Sequence, residues 1–288
     1  MGKIFDALEK AGKESGKSKI QQKTAPVLPL SVKEEKKRVT ETEKSLEVNP
    51  IGNNYDVNLI TLRDPESFEA SQFKVLRTNL LFGNDEQPPR TVLITSAIPG
   101  EGKSFVCANL AVSIAQGMDE HVLIMDCDMR KGCIHKIFGF QNIDAGLNEY
   151  IIDNVPLPSI LLKTGVNKLT LLPCGRPVKN PSEILSSKKM ATLIEETRQR
   201  YDDRYVLIDS APPGLAPETI AIAKYVDAII IVVRVGVTKR DLLSEAVDML
   251  GKDKVIGVVA NRMDMTSVGG YAYGKYRDYH KYYAHYYK

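Results

Sequence analysis

Two glycines, a lysine and a serine set the first chemical constraint. The stretch Thr91-Val-Leu-Ile-Thr-Ser-Ala-Ile-Pro-Gly-Glu-Gly-Lys-Ser104 reads as an apolar strand, a turn and the start of a helix. Gly100 and Gly102 let the chain bend so that backbone N–H groups converge on one point, and the new helix adds its positive end. Such a concavity suits a phosphate. Lys103 can reach the outer phosphates of a nucleotide such as ATP, and the Ser104 hydroxyl can ligate Mg2+. Pro99, Glu101 and Phe105 complete the candidate binding loop. Ala97 stands where the GxxxxGK[ST] pattern has its first glycine, so the strict match fails at one position.

Three further apolar runs end in polar residues. Asp126 closes Val122–Met125, with Asp128 and Arg130 just beyond; Asp209 closes Tyr205–Ile208; Asn261 closes Val255–Ala260. In a parallel sheet the strand C-termini share one edge, where ligands bind, and the glycine loop leaves the same edge. The pattern therefore predicts Asp126, Asp128 and Asp209 beside the phosphates. There they could hold Mg2+, directly or through water, and one could take a proton from a hydroxyl nucleophile. Each Asp alone would also serve as a helix cap or turn residue. Asn261 reads equally as a purine-contacting side chain or a plain turn residue.

The candidate nucleophiles lie at the end of the sequence. Tyr271, Tyr273, Tyr276, Tyr279, Tyr282, Tyr283, Tyr286 and Tyr287 are eight of the 13 tyrosines. Gly, Lys, Arg and His separate them, so they cannot build a core. They fit a set of phosphate acceptors, or alternatively a stacking tail for RNA or a partner. Lys275, Arg277, Lys281 and Lys288 against Asp278 give this segment a charge of +3 and draw it towards an anionic site. Each phosphate would add about −1.5 to −2 charges and drive it away.

The elements that must position these residues alternate along the chain. Apolar runs at 92–95, 122–125, 169–172, 205–208, 228–233 and 255–260 are separated by helical patterns near 103–116, 182–199, 217–225 and 239–250. A further helix follows Pro65, with Phe73, Leu76, Leu80 and Leu81 as its apolar stripe. Continuous apolar runs with helices between them predict an α/β fold: a P-loop NTPase with a mostly parallel sheet covered on both faces. The sequence divides into a short helix at 2–14 with a linker to residue 58, a P-loop domain over 59–270, and the 271–288 tail. Ile4, Phe5 and Leu8 on the short helix suggest a docking element for a membrane partner.

Of 288 residues, 43% are hydrophobic and 26% charged, which excludes wholesale disorder. The net charge of +3 conceals basic ends and an acidic middle, so the body gives no reason to expect nucleic-acid binding. No apolar run approaches the roughly 20 residues of a membrane span, and no apolar signal core opens the sequence. Cys107, Cys127, Cys133 and Cys174 show no CxxC spacing and read as reduced packing residues of a cytoplasmic protein.

Taken together, Ser96-Ala-Ile-Pro-Gly-Glu-Gly-Lys-Ser104, Val122-Leu-Ile-Met-Asp-Cys-Asp-Met-Arg130, Val206-Leu-Ile-Asp-Ser-Ala-Pro212 and the tyrosine cluster resemble the bacterial tyrosine kinases of capsule and exopolysaccharide systems. The three motifs look like that family's Walker A, A′ and B, in its order. The segments Phe73–Leu80 and Cys174–Leu185 also look like family segments. The opening Met-Gly-Lys-Ile-Phe-Asp resembles the soluble branch of exosortase-type loci. The resemblance implies an ATP- and Mg2+-dependent tyrosine autokinase. Lys103 and Ser104 would bind phosphate and metal. Asp126, Asp128 and Asp209 would serve metal and nucleophile activation, with Asp126 as the base. It further implies transfer between copies in a homo-oligomeric ring, a membrane polysaccharide co-polymerase as activator, a protein-tyrosine phosphatase as counterpart, and a place at the inner face of the plasma membrane.

Some positions depart from the family pattern. Its ring-forming Glu-x-x-Arg-x-x-Arg is represented by Ser71, Lys74 and Arg77, and Walker B continues as Ser210-Ala-Pro-Pro213. A partition- or positioning-type ATPase without kinase activity is the alternative; Ile98, where that branch carries a second lysine, and the tyrosine tail speak against it.

Overall fold

The computed structural model describes residues 55–83, 87–199 and 203–263. The expected 2–14 helix, most of the linker and the tyrosine tail lie outside these residues. Among the described residues the strands are β1 (Thr91–Ser96), β2 (His121–Asp126), β3 (Leu162–Lys163), β4 (Leu169–Leu172), β5 (Arg204–Asp209), β6 (Ala228–Arg234) and β7 (Val255–Asn261). They form one sheet in the order β3-β4-β2-β5-β1-β6-β7, parallel throughout except for β3 against β4.

Strand alternation explains why the central runs are apolar at every position. Val92 and Ile94 point to one face, where Phe73, Leu80, Leu110 and Ile114 cover them. Leu93 points to the other, towards Leu193, Ile194, Ile222 and Leu250. β1 is buried along its whole length, whereas edge strand β7 leaves Ile256 and Val258 half exposed.

The helix Lys103–Ala115 runs from the glycine loop into this core and is buried from Val106 onward. Its polar Asn109 is satisfied inside. The carbonyl oxygen accepts from the Thr61 N–H and hydroxyl, and the amide donates to the carbonyls of Asn58 and Phe105. The helix after Pro65 spans Phe68–Leu81, capped by the Ser67 hydroxyl.

The expected helix over 182–199 is two helices, Pro181–Leu185 and Lys188–Gln199. Ser187 breaks it: its hydroxyl accepts from the Met190 N–H and starts the second helix. The helices Ile60–Arg63, Ile134–Ile137 and Leu147–Asp153 and strand β3 were not predicted, being too short for a periodicity to register.

Candidate active site

The phosphate loop is fastened from beneath. Gly100 and Gly102 adopt φ of 82° and 93°, the left-handed region that glycine occupies without strain. At Gly102 space is a second constraint, because a Cβ there would lie 2.2 Å from Asn261 Nδ2. That amide donates to the Glu101 carbonyl at 2.7 Å. The Glu101 carboxylate is buried: Oε2 accepts from the Ile98 N–H at 2.9 Å, and Oε1 from the Arg234 N–H at 3.2 Å and from the Thr238 hydroxyl. The ends of β6 and β7 thus hold the loop's shape.

Above the loop, neighbouring strands bring three carboxylates to one cation. β2 and β5 pair in parallel register with Asp126 opposite Asp209, both at their C-terminal ends. Lys103 Nζ lies 2.6 Å from Asp128 Oδ2 and 3.5 Å from Asp209 Oδ2. The Ser104 hydroxyl donates to Asp209 Oδ2 at 2.6 Å. Asp126 accepts from the Asp128 and Ile134 N–H groups, both at 3.2 Å. Asp128 also accepts from the N–H groups of Arg130 and Lys131, which fixes the turn after β2. The Walker B continuation is held by Thr95 and Thr219, whose hydroxyls donate to the Ala211 carbonyl, and by a Ser210–Thr219 hydroxyl pair.

Burial shapes the electrostatics. Burial and the facing Asp209 push the Asp126 carboxyl up to about 7, against the pull of its N–H donors and Lys103. Asp209 is likewise raised by burial, although Lys103 and Ser104 oppose the shift. Burial disfavours the Lys103 ammonium, but Asp209 and Asp128 outweigh it and hold the lysine charged. Burial also raises the thiols of Cys107, Cys127, Cys133 and Cys174, all of which are free.

The cluster has the character of a divalent-cation site. Three carboxylates face one lysine, and among the described residues Asp209 Oδ1 is buried without a hydrogen-bond partner. No three His, Cys, Asp or Glu side chains among the described residues form an all-protein metal cage.

The remaining predicted residues take distinct places. Asn261 sits under the loop. Pro99 is exposed on the loop, and the Phe105 ring stands edge-on to Phe73 at 5.7 Å. Arg130 Nε lies 3.4 Å from Glu218 Oε1, and Ser182 donates to Glu218 Oε2 at 2.7 Å. Buried Glu218, which ties Arg130 to the Pro181–Leu185 helix, escaped the sequence reading; an acid directly after Pro217 in a helix's first turn is its one signal. The eight tail tyrosines lie outside the described residues. Of the positions matching the ring-forming pattern, Ser71 donates to the Phe68 carbonyl and Arg77 to the Ser113 carbonyl at 2.7 Å, while Lys74 remains partly exposed, 3.9 Å from Glu66.

A family model described as ParA: NUBPL iron-transfer P-loop NTPase matches residues 88–271. The tyrosine-protein kinase YwqD of Bacillus subtilis (strain 168) is 31% identical over 224 residues, covering 77% of this chain and 93% of its own length. This chain belongs to the bacterial tyrosine-kinase family. Among solved structures, the chimerical protein CapA2B2 aligns with a TM-score of 0.66 at 30% identity, over 73% of this chain and 92% of its own. The kinase domain of the Escherichia coli tyrosine kinase ETK aligns with a TM-score of 0.65 at 27% identity, over 74% and 84%. Family membership and the mostly parallel sheet agree with the sequence-based reading.

Proposed function

We propose that this chain is a protein-tyrosine autokinase that moves the terminal phosphoryl group of ATP to tyrosines of its 271–288 segment. The observation that carries this reading is the meeting of Lys103, Ser104 and three carboxylates at the rim of a kinase-family sheet, in a chain holding eight clustered tyrosines. The backbone of the 99–104 loop and Lys103 hold the phosphates. Ser104 and Asp209 hold Mg2+, with Asp128 keeping Lys103 in place and Asp126 completing the acidic wall. Bound there, Mg2+ supplies charge neutralisation for the transferring group. Asp126 accepts the phenolic proton, since a carboxyl raised to about 7 holds a proton near neutral pH more readily than an ordinary aspartate. Arg130 flanks the nucleotide; Phe105 supports the helix start, and Glu101 and Asn261 contribute through the loop they brace.

The wider reading follows the family. The chain acts as a homo-oligomer in capsule or exopolysaccharide production, at the inner face of the membrane. A membrane co-polymerase activates it and a tyrosine phosphatase resets it. Among the described residues no helix is long and apolar enough to cross a membrane. Mass spectrometry of the full chain after incubation with Mg·ATP tests the central claim, beside Lys103→Met. Phosphate on residues 271–287 of the parent alone is the expected result. Steady ATP hydrolysis with an unmodified tail, with and without an activator fragment, refutes the reading and favours the positioning-type ATPase.

A further inference from the structure

A groove opens beside the phosphate loop, between that loop, the segment after β5 and the helix Arg240–Leu250. Ile98 and Pro99 form one wall, Leu215 a second, and Leu242 and Met249 of the helix Arg240–Leu250 a third, around about 250 Å3. Leu215 is 57% exposed and Leu242 37%, so apolar surface is left open to water next to the site. The groove shares Glu245 and Met249 with a shallow surface lined also by Asp241 and Asp248. Asp241, Glu245 and Asp248 are exposed and lie at helical spacing on one face. Asp248 pairs with Lys252 at 2.9 Å; among the described residues Asp241 and Glu245 form no ion pair.

We infer that this groove is a docking site for residues 271–288, the basic tyrosine segment. The inference rests on the kinase reading and adds to it a recognition surface outside the transfer chemistry. Charge complementarity selects this occupant. The segment carries +3, with Lys275, Arg277 and Lys281 set between tyrosines, while Glu245 on the groove and Asp241 beside it form no ion pair among the described residues. Side-chain chemistry agrees, since a tyrosine offers an apolar ring and a polar tip to a groove that is apolar inside and wet at its margin. Position agrees as well. β7 ends at Asn261, whose amide holds Glu101 of the phosphate loop, so the chain leading to the segment starts from the site's own rim. The eight residue-to-residue steps from Met263 to Tyr271 reach at most about 29 Å. Docking also accounts for release, because each phosphate adds about −1.5 to −2 charges and sets the segment against Asp241 and Glu245.

The test uses full-length chains, with Lys103→Met as the phosphate acceptor and either the parent or Asp241→Asn/Glu245→Gln as the enzyme. The double variant should raise the KM for the acceptor about five- to tenfold and leave the KM for ATP unchanged; the parent's acceptor KM should rise with salt. Leu215→Ser should raise the acceptor KM through the apolar wall, a readout that does not depend on charge. An unchanged acceptor KM in both variants, or a parallel rise in the KM for ATP, overturns the proposal. So does a change confined to self-association or to the response to an activator fragment. If the parent phosphorylates no acceptor at all, the kinase reading itself fails. Docking is then decided by the anisotropy of a labelled 271–288 peptide on the full chain, which the double variant must weaken.

Discussion

Carboxylates occur in two settings in this molecule, and burial separates what they can do. Asp126, Asp128 and Asp209 end or follow buried strands, almost out of water. Their charges act on each other and on Lys103 at short range, and burial raises the carboxyls of Asp126 and Asp209. Asp241, Glu245 and Asp248 stand on a half-exposed helix, where solvent screens each to a small effect. They can only act as a sum, on a partner carrying several positive charges. A single substitution should therefore be decisive in the first group and faint in the second.

The largest break should come from Asp209→Asn, which removes the negative charge from the carboxyl group that has an unpartnered oxygen. Autophosphorylation should fall by about 10^2–10^3, and the Mg2+ concentration for half-maximal rate should rise; both are read by phosphotyrosine blotting over a Mg2+ titration. Next is Gly102→Ala, which forces a side chain into the left-handed region against the Asn261 amide. It should cost about 1–3 kcal/mol in urea unfolding and weaken nucleotide binding more than proportionately. Glu101→Gln should follow. One buried N–H or hydroxyl loses its acceptor, so the KM for ATP should rise by roughly tenfold for a loss near 1.4 kcal/mol, with a smaller change in kcat.

Asp126 sharpens the contrast through pH. Its folded-state pKa is raised, so the stability it contributes is fully present below the unfolded value of about 4 and is lost as pH rises towards about 7. Asp126→Asn should flatten that slope. Unfolding midpoints at pH 5 and pH 8, without nucleotide or Mg2+, should converge relative to the parent. The smallest effect belongs to Asp248→Asn: its pair with Lys252 is exposed on both sides, and the thermal midpoint should not move measurably.

The central architecture was legible because its signals are local and strong. Each inner strand is a continuous apolar run, each is followed by a polar residue, and the glycine loop sits between a strand and a helix. Those patterns fix which residues reach the rim, since parallel strands end together. What they cannot convey is how one rim residue braces another. Glu101 and Asn261 read as candidate ligand contacts. Yet the Glu101 carboxylate turns inward to the Arg234 N–H and the Thr238 hydroxyl, and Asn261 supports the loop from below. Glu218 was invisible for the same reason, being defined by a partner 88 positions away. Arg77 matches a motif position that implies assembly, but its guanidinium already holds the Ser113 carbonyl near the end of the phosphate-loop helix.

The contact between Lys103 and two aspartates bears on how the protein is made. A pocket of bare buried anions would resist folding until an ion arrived to fill it. Here an internal ammonium stands in for that ion, so a newly synthesised chain can close its central sheet before it meets magnesium. A ligand that enters the rim then meets a site already assembled, with Lys103 held between Asp128 and Asp209.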